Sequence, residues 1–86
     1  MASYRLVFKH SVAKDLRALP KAAVLAILQR IDALAEDPRP VGCEKLSAQE
    51  RYRVRQGVYR ILYEIQDRDL VVTVVKIGHR REVYRN

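Results

Sequence analysis

Several residue types that usually carry catalysis or constrain a small fold are scarce in this chain. Cys43 is the only cysteine, so no intramolecular disulfide can form. The cysteine and the two histidines sit in unrelated segments, and their spacing does not match a metal site. The three glycines are isolated from one another, which excludes a glycine-rich phosphate loop. We therefore expect a site without metal or cofactor, built from side chains alone.

Long apolar runs and acidic residues are scarce as well. No segment approaches the roughly 20 apolar residues of a membrane span, and the N-terminus does not resemble a signal peptide. We expect a cytoplasmic protein with no membrane partner. Ten acidic residues against 17 lysines and arginines give a net charge of +7. A balance this basic favours nucleic acid or an acidic protein as the partner.

The chain is long enough for one small domain, which we place at residues 1–86. Ser11 is suited to begin a short helix, and a second helix begins at Pro20 and ends before Pro38. The order of elements predicts an α+β fold, in which two N-terminal helices pack on one face of a small, mostly antiparallel four-stranded sheet. A short C-terminal tail follows the sheet. The strands are expected at residues 3–9, 51–56, 58–66 and 70–78.

The last of these strands has an irregular polar pattern. Successive side chains of a strand alternate between the two faces of the sheet. The polar residues of this last strand, Thr73 and Lys76, are three positions apart, so regular alternation would place them on opposite faces. Either the strand is central and covered on both faces, or a bulge interrupts it.

Four arginines and no acid occur between Arg51 and Arg60, in a segment that is typical of a β-hairpin. Arg51, Arg53 and Arg55 share one face of the first strand. A two-residue turn at Gln56-Gly57 would place Arg60 opposite Arg53 on that same face, exposed to solvent. Like charges directly opposite one another destabilise a sheet, so the arrangement indicates a bound polyanion.

The segment after the last strand adds further candidates, above all His79, Arg80 and Tyr84. Arginines that converge on one phosphodiester stabilise the negative charge that builds up during strand cleavage. Histidine has an unperturbed pKa near neutrality, and tyrosine can stack on an unpaired base or take part in proton transfer. Such a set suits a metal-free ribonuclease, which needs a phosphate clamp, a base and an acid.

Three motifs carry a resemblance to a known family, and it extends over nearly the whole chain. The motifs are Tyr52-Arg53-Val54-Arg55, Tyr59-Arg60-Ile61-Leu62-Tyr63-Glu64-Ile65 and Lys76-Ile77-Gly78-His79-Arg80-Arg81-Glu82-Val83-Tyr84-Arg85. With these the chain resembles the RelE toxins of the RelE/ParE superfamily, the toxic halves of bacterial type II toxin–antitoxin pairs. The order of elements is also similar to the compact βααβββ layout of that family.

The resemblance implies a ribosome-dependent endoribonuclease that cuts mRNA by attack of a 2′-hydroxyl on the adjacent phosphate. Carried over to this chain, Arg60 and Arg80 clamp the phosphate, and Tyr84 stacks on a base or transfers a proton. A RelB-like antitoxin, the ribosome and mRNA are the implied partners, with operator DNA bound only through the antitoxin. Together with His79, which the residue chemistry suggests, the candidate catalytic residues are Arg53, Arg60, Arg80 and Tyr84. The further RNA-binding residues are Arg51, Arg55, Arg81 and Arg85.

The chain departs from some members of that family, which have lysines at the positions of Arg53 and Arg55. One of those lysines is proposed there as the general base. Arginine is a poor base because its pKa exceeds about 12. The base in this chain is therefore expected to be His79 or Tyr84, with Arg53 stabilising charge.

Two alternatives stay open. A ParE-like toxin has the same fold but inhibits DNA gyrase by binding and does not cut RNA. A non-catalytic basic module would use the same face only to dock an acidic or disordered antitoxin segment.

Overall fold

Two helices and five strands follow one another in a computed structural model, which describes residues 3–46 and 51–79. The elements in chain order are β1 (Arg5–Phe8), α1 (Val12–Arg17), α2 (Lys21–Glu36), β2 (Glu44–Lys45), β3 (Arg51–Gln56), β4 (Tyr59–Gln66) and β5 (Val71–His79). The expected α+β class and order of elements are confirmed.

One sheet contains all five strands in the order β1-β5-β4-β3-β2. β1 runs parallel to β5, whereas the other neighbours are antiparallel. The sheet has one strand more than the expected four. The additional strand is β2, in which Glu44 and Lys45 pair with Arg53 and Tyr52. Two residues are too few to show a period of two, so the sequence pattern does not reveal β2.

Both helices begin where expected, and α1 is the shorter of the two. It ends at Arg17, and the side chain of Ser11 makes no capping hydrogen bond. Pro20 immediately precedes α2 with a φ of −59°, and α2 ends at Glu36, before Pro38. One face of α2 packs on the sheet, and its fully buried residues are Ile27, Ile31 and Leu34.

Strand β5 is both central and bulged, so the two explanations of its irregular pattern hold together. It lies between β1 and β4. Leu62 pairs with Lys76, whereas the next residue of β4, Tyr63, pairs with Val74. Val75 is the additional residue of β5, and it shifts the parity of every position after it.

The core fills the space between the helices and one face of the sheet. Tyr52 and Tyr63 lie on this face, are buried, and stack with ring centroids 5.9 Å apart. Cys43 packs against the same core. The buried core residues that the sheet contributes are Tyr52, Val54, Ile61, Tyr63, Ile65, Val72, Val74 and Ile77.

Neither of the helices within residues 3–46 has the length and apolar character needed to cross a membrane.

Candidate functional site

The four hairpin arginines occupy the sheet face opposite the helices. Tyr52 and Val54 point into the core, and alternation along β3 therefore directs its arginines to the other side. Arg60 of β4 is directly opposite Arg55, so it shares their side. We call this surface the arginine face, and its members are Arg51, Arg53, Arg55 and Arg60.

The register of the hairpin differs from the expected one. The two residues of the turn are Gly57 and Val58 rather than Gln56 and Gly57. Arg60 therefore lies opposite Arg55, and Arg53 lies opposite Leu62. Gly57 has a φ of +62°, whereas Val58 does not have a positive φ. Glycine at the first central position suits a type II′ turn, since a type I′ turn needs positive φ at both positions.

Two of the four arginines are held by carboxylates of neighbouring strands. Arg51 donates to Glu64 through its Nη2 at 2.7 Å, across the β3–β4 pair. Arg53 forms an ion pair with Glu44, its cross-strand neighbour on β2. Arg53 is only 8% exposed, so the expectation that it projects into solvent is wrong. β2 is the cause, because it places Glu44 beside the guanidinium.

Arg55 and Arg60 make up the more accessible end of the arginine face. Arg55 is exposed, and Arg60 is half-buried. Two like charges thus lie directly opposite one another at the end of the hairpin. A pair of arginines directly opposite one another is present as expected, but it consists of Arg55 and Arg60 rather than Arg53 and Arg60.

The other end of this surface is apolar. Leu62 and Val75 are buried on the arginine face, and Leu46 packs against them. The bulge directs both Val75 and Lys76 to this side of β5. Cationic side chains that surround an apolar floor can bind the phosphates of an RNA strand and contact its bases at the same time.

His79 lies apart from the arginine side chains. It pairs with Tyr59, and the two rings meet edge to face with centroids 6.3 Å apart. Tyr59 packs against the core on the helix-covered side. Gly78, not His79, is the cross-strand partner of Arg60. The bulge shifts the alternation of side chains along β5. The side chain of His79 therefore points away from the arginine face.

The remaining site candidates lie outside the described residues. These are Arg80, Arg81, Tyr84 and Arg85.

A second cluster holds the loop after α2 against the end of the sheet. Arg39 donates to both carboxylate oxygens of Asp67, at 3.1 and 2.8 Å, and Tyr4 donates to Asp67 Oδ1 at 2.7 Å. These hydrogen bonds, that of Arg39 first, lower the pKa of Asp67 to about 2. Arg39 also donates to the Tyr52 hydroxyl at 3.2 Å and lies over its ring. The cluster ties the loop to β3 and to the β4–β5 turn.

The hydroxyl of Tyr63 completes this anchoring from inside the core. It donates to the carbonyl oxygen of Pro38 at 2.7 Å. Burial of Tyr63 raises the pKa of its hydroxyl well above the usual range. Tyr63 therefore stays protonated and acts as a donor. None of these side chains belongs to the arginine face.

Two residues near the arginine face, Glu44 and Lys76, were not identified as site residues from the sequence. Glu44 gave no signal because it lies in a two-residue strand. Lys76 did give one, since its parity conflict with Thr73 marked the bulge that brings it to the arginine face. In the described part of the chain, no group of three His, Cys, Asp or Glu side chains is placed to hold a metal ion.

Known proteins resemble this chain over almost its whole length. The family described as the ParE toxin of the type II toxin–antitoxin system parDE matches residues 6–84. Toxin RelG of Mycobacterium tuberculosis is 29% identical over 84 residues, which cover 95% of this chain and 97% of that protein.

Solved structures share the fold. The RelE chain in the RelE–RelB complex of Pyrococcus horikoshii OT3 superposes with a TM-score of 0.82 at 31% identity, covering 93% of this chain and 98% of that one. The isolated RelE toxin of E. coli superposes with a TM-score of 0.80 at 26% identity, covering 95% and 92%.

Proposed function

The chain belongs to the ParE family of type II toxins within the RelE/ParE superfamily, and we propose that it is a ribosome-dependent endoribonuclease that cuts mRNA. The observation that carries the proposal is the pair of arginines, Arg55 and Arg60, facing each other across the hairpin. The similarity to RelE toxins supports the choice of RNA over other polyanions.

The proposed reaction is a transesterification within the RNA strand. The 2′-oxygen gives its proton to a base and forms a bond to the adjacent phosphorus. The bond from phosphorus to the 5′-oxygen breaks, and that oxygen takes a proton from an acid. The products are a 2′,3′-cyclic phosphate and a 5′-hydroxyl.

Arginines suit the electrostatic part of this reaction. A guanidinium stays charged at any accessible pH and donates two parallel hydrogen bonds to a phosphate. Negative charge accumulates on the non-bridging oxygens as the phosphorus becomes pentacovalent, and Arg60 with Arg80 would stabilise it. Arg53, held by Glu44 and mostly buried, would act on the charge from a fixed position.

Proton transfer is proposed for His79 or Tyr84. The contact between His79 and Tyr59 on the opposite side of the sheet speaks against His79 as the base. Tyr84 is then the better candidate for the residue that transfers the proton, or it stacks on a nucleobase of the RNA. Arg51, Arg55, Arg81 and Arg85 are proposed to bind the flanking RNA.

We further propose a RelB-like antitoxin as the partner that neutralises this protein in the cytoplasm. The Pyrococcus relative was crystallised as a RelE–RelB complex. An antitoxin segment rich in carboxylates is complementary to the arginine face, and covering that face would block RNA binding. Operator DNA would be bound only through the antitoxin.

Gyrase inhibition is the second candidate function, and the match to a ParE family favours it. A non-catalytic basic module that only docks an acidic partner is the remaining alternative. Neither of these two functions requires Arg60 and Arg80 to bind the same phosphate.

Induction of the chain without its antitoxin, followed by mapping of mRNA 5′ ends, tests the proposal. We expect growth arrest and new 5′ ends within codons of translated messages, absent when translation is blocked beforehand. Arg60→Ala, Arg80→Ala and Tyr84→Ala should each reduce cleavage by about 100-fold or more, in line with the loss of one transition-state donor or proton-transfer group. Each variant should still bind the antitoxin.

Other outcomes lead to different conclusions. Growth arrest with gyrase-dependent DNA breaks and no new mRNA 5′ ends would refute the nuclease proposal and support inhibition of gyrase. Full cleavage by the Arg80→Ala and Tyr84→Ala variants would refute the site assignment while leaving the activity in place.

A further inference from the structure

A groove lies between α1 and β5, where strand β1 has ended. The main chain of β1 follows β5 as far as Lys9, whose N–H donates to the Val74 carbonyl at 2.9 Å. Beyond this point α1 lies beside β5, and the Asp15 carboxylate accepts a hydrogen bond from the Ile77 N–H at 3.1 Å. Side chains of α1 and β5 thus form the two walls of an open concavity.

Two adjoining concavities make up this surface. One, of about 400 Å³, lies between α1 and the end of β5, and the other, of about 560 Å³, lies beside the first turn of α1. They share Ser11 and Lys14. We call the combined surface the lysine groove, and its cationic residues are Lys9, Lys14, Arg17 and Lys76.

The positive charge of the groove is not balanced locally. Within residues 3–46 and 51–79, Lys9, Lys14 and Lys76 form no ion pair. Of the described residues in the lining, Asp15 is the only one with a carboxylate, and this carboxylate already accepts a hydrogen bond from the main chain of β5. Like charges around one concavity repel each other, and a bound polyanion would relieve that repulsion.

The groove opens onto the arginine face. Gly78 lines the groove, and it is also the cross-strand partner of Arg60. Lys76 lines the groove and points to the same side of the sheet as Arg60. Gly78 itself is buried, so a strand that is held at Arg60 would continue beside it, between Lys76 and Lys14.

We propose that the lysine groove binds the phosphodiester backbone of the RNA strand that leaves the arginine face. This inference rests on the proposed function and extends it from the cleaved phosphate to the flanking nucleotides. A positively charged groove that follows the backbone is the usual means of binding single-stranded nucleic acid without reading its sequence.

The lining of the groove favours RNA over an acidic peptide. Among the described residues that line the groove, Leu19 and the buried Ile77 are the only large apolar side chains. A helical peptide needs apolar anchors at helical spacing to bind a groove. Such anchors lie in an adjoining concavity lined by Phe8, Leu16 and Leu28, which shares Lys9 and His10 with the groove but reaches neither Lys14 nor Lys76.

Binding of a fluorescently labelled, mixed-sequence single-stranded RNA, measured by anisotropy at several KCl concentrations, tests the inference. The variant carries Lys9→Gln, Lys14→Gln and Lys76→Gln. Each phosphate contact to a single strand contributes about 0.7 to the slope of log affinity against log salt, so the slope should become shallower by about 2. The affinity at about 0.1 M salt should fall by about tenfold or more.

The matched control removes the same total charge outside the groove. It carries Arg5→Gln, Lys21→Gln and Arg68→Gln, three exposed positions on other surfaces. We expect the control to keep most of the wild-type slope. Thermal unfolding of both triple variants confirms that each is folded before its affinity is compared.

Three outcomes would overturn the inference. Equal losses in both triple variants would mean that net charge alone attracts RNA. Unchanged RNA affinity in the groove variant would refute RNA binding by the lysine groove, even if the wild type cuts mRNA. Failure of this inference can therefore be distinguished from failure of the proposed function. Loss of affinity for poly-glutamate but not for RNA would assign the groove to an acidic protein partner.

Discussion

Arg53 shows how one neighbouring side chain changes the role of a charged residue. Its guanidinium is 8% exposed and paired with Glu44, whose own side chain is 58% exposed. A buried guanidinium without a carboxylate partner would carry an uncompensated desolvation cost. The pair therefore stabilises the β2–β3 edge and fixes the orientation of Arg53.

A double-mutant cycle tests this assignment. Glu44→Gln should lower the free energy of unfolding by about 1–2 kcal/mol, between the values for exposed ion pairs and for hydrogen bonds to buried charges. Arg53→Gln alone and the double variant complete the cycle, measured by urea denaturation. A coupling energy below about 0.3 kcal/mol would show that the two side chains act independently.

Asp67 gives the protein a pH-dependent contribution to stability. Its pKa in the folded state is lowered from 3.8 to about 2, chiefly by Arg39. A carboxyl with a lowered folded-state pKa stabilises the fold above its unfolded-state pKa, and it loses that contribution as the pH falls through its folded-state pKa. The effect is thus present at neutral pH and disappears between about pH 4 and pH 2.

Asp67→Asn should lower the midpoint of thermal unfolding at pH 7 by a few degrees. The difference from wild type should shrink toward zero as the pH approaches 2. Asp69→Asn removes the same charge from the same turn and serves as the control. A difference from wild type that is the same at both pH values would mean that the ion pair with Arg39 does not cause it.

At the scale of elements, the hairpin of β3 and β4 determines which arginines face each other. Its turn needs glycine at Gly57, where φ is +62°. With this glycine first in the turn, Arg55 pairs with Arg60. A shift of the turn by one residue would change every cross-strand pair on the arginine face.

Gly57→Ala should lower the free energy of unfolding by about 1 kcal/mol, because a side chain at positive φ is strained. Val58→Ala, the neighbouring substitution in the same turn, should cost much less, since Val58 is half exposed. Chemical denaturation compares the two. Equal losses would contradict the requirement for positive φ.

Periodicity predicted the elements that are long enough to show it. The alternation along β3 was sufficient to place that strand, and Pro20 and Pro38 were sufficient to place the two ends of α2. The register of the hairpin was not predictable to one residue, because Gln56-Gly57 and Gly57-Val58 are both acceptable two-residue turns until φ is known.

The burial of Arg53 depended on Glu44, a contact between strands that no local pattern encodes. The position of His79 depended on the bulge at Val75, which the parity of Lys76 suggested but did not locate.

At the scale of the whole molecule, charge and fold oppose each other. A net charge of +7 on 86 residues favours binding of a polyanion, but it also makes the compact state repel itself. The ion pairs of Arg39, Arg51 and Arg53 relieve part of this repulsion. The lysine groove, in which Lys9, Lys14 and Lys76 form no ion pair within residues 3–46 and 51–79, retains part of the rest.

Added salt should therefore stabilise the protein while it weakens RNA binding. Raising KCl from about 20 mM to about 300 mM shortens the Debye length from roughly 20 Å to below 10 Å. The midpoint of thermal unfolding should rise by a few degrees over this range. A midpoint that falls with KCl would mean that the ion pairs outweigh the net repulsion.

The parallel pairing of β1 with β5 also has a consequence for synthesis of the chain. The first strand pairs with the last one, and β5 lies between β1 and β4. Until β5 has been synthesised, the nascent polypeptide has the two helices but lacks the strand beside which α1 lies. The core, to which β5 contributes Val72, Val74 and Ile77, can therefore close only after β5 has been synthesised.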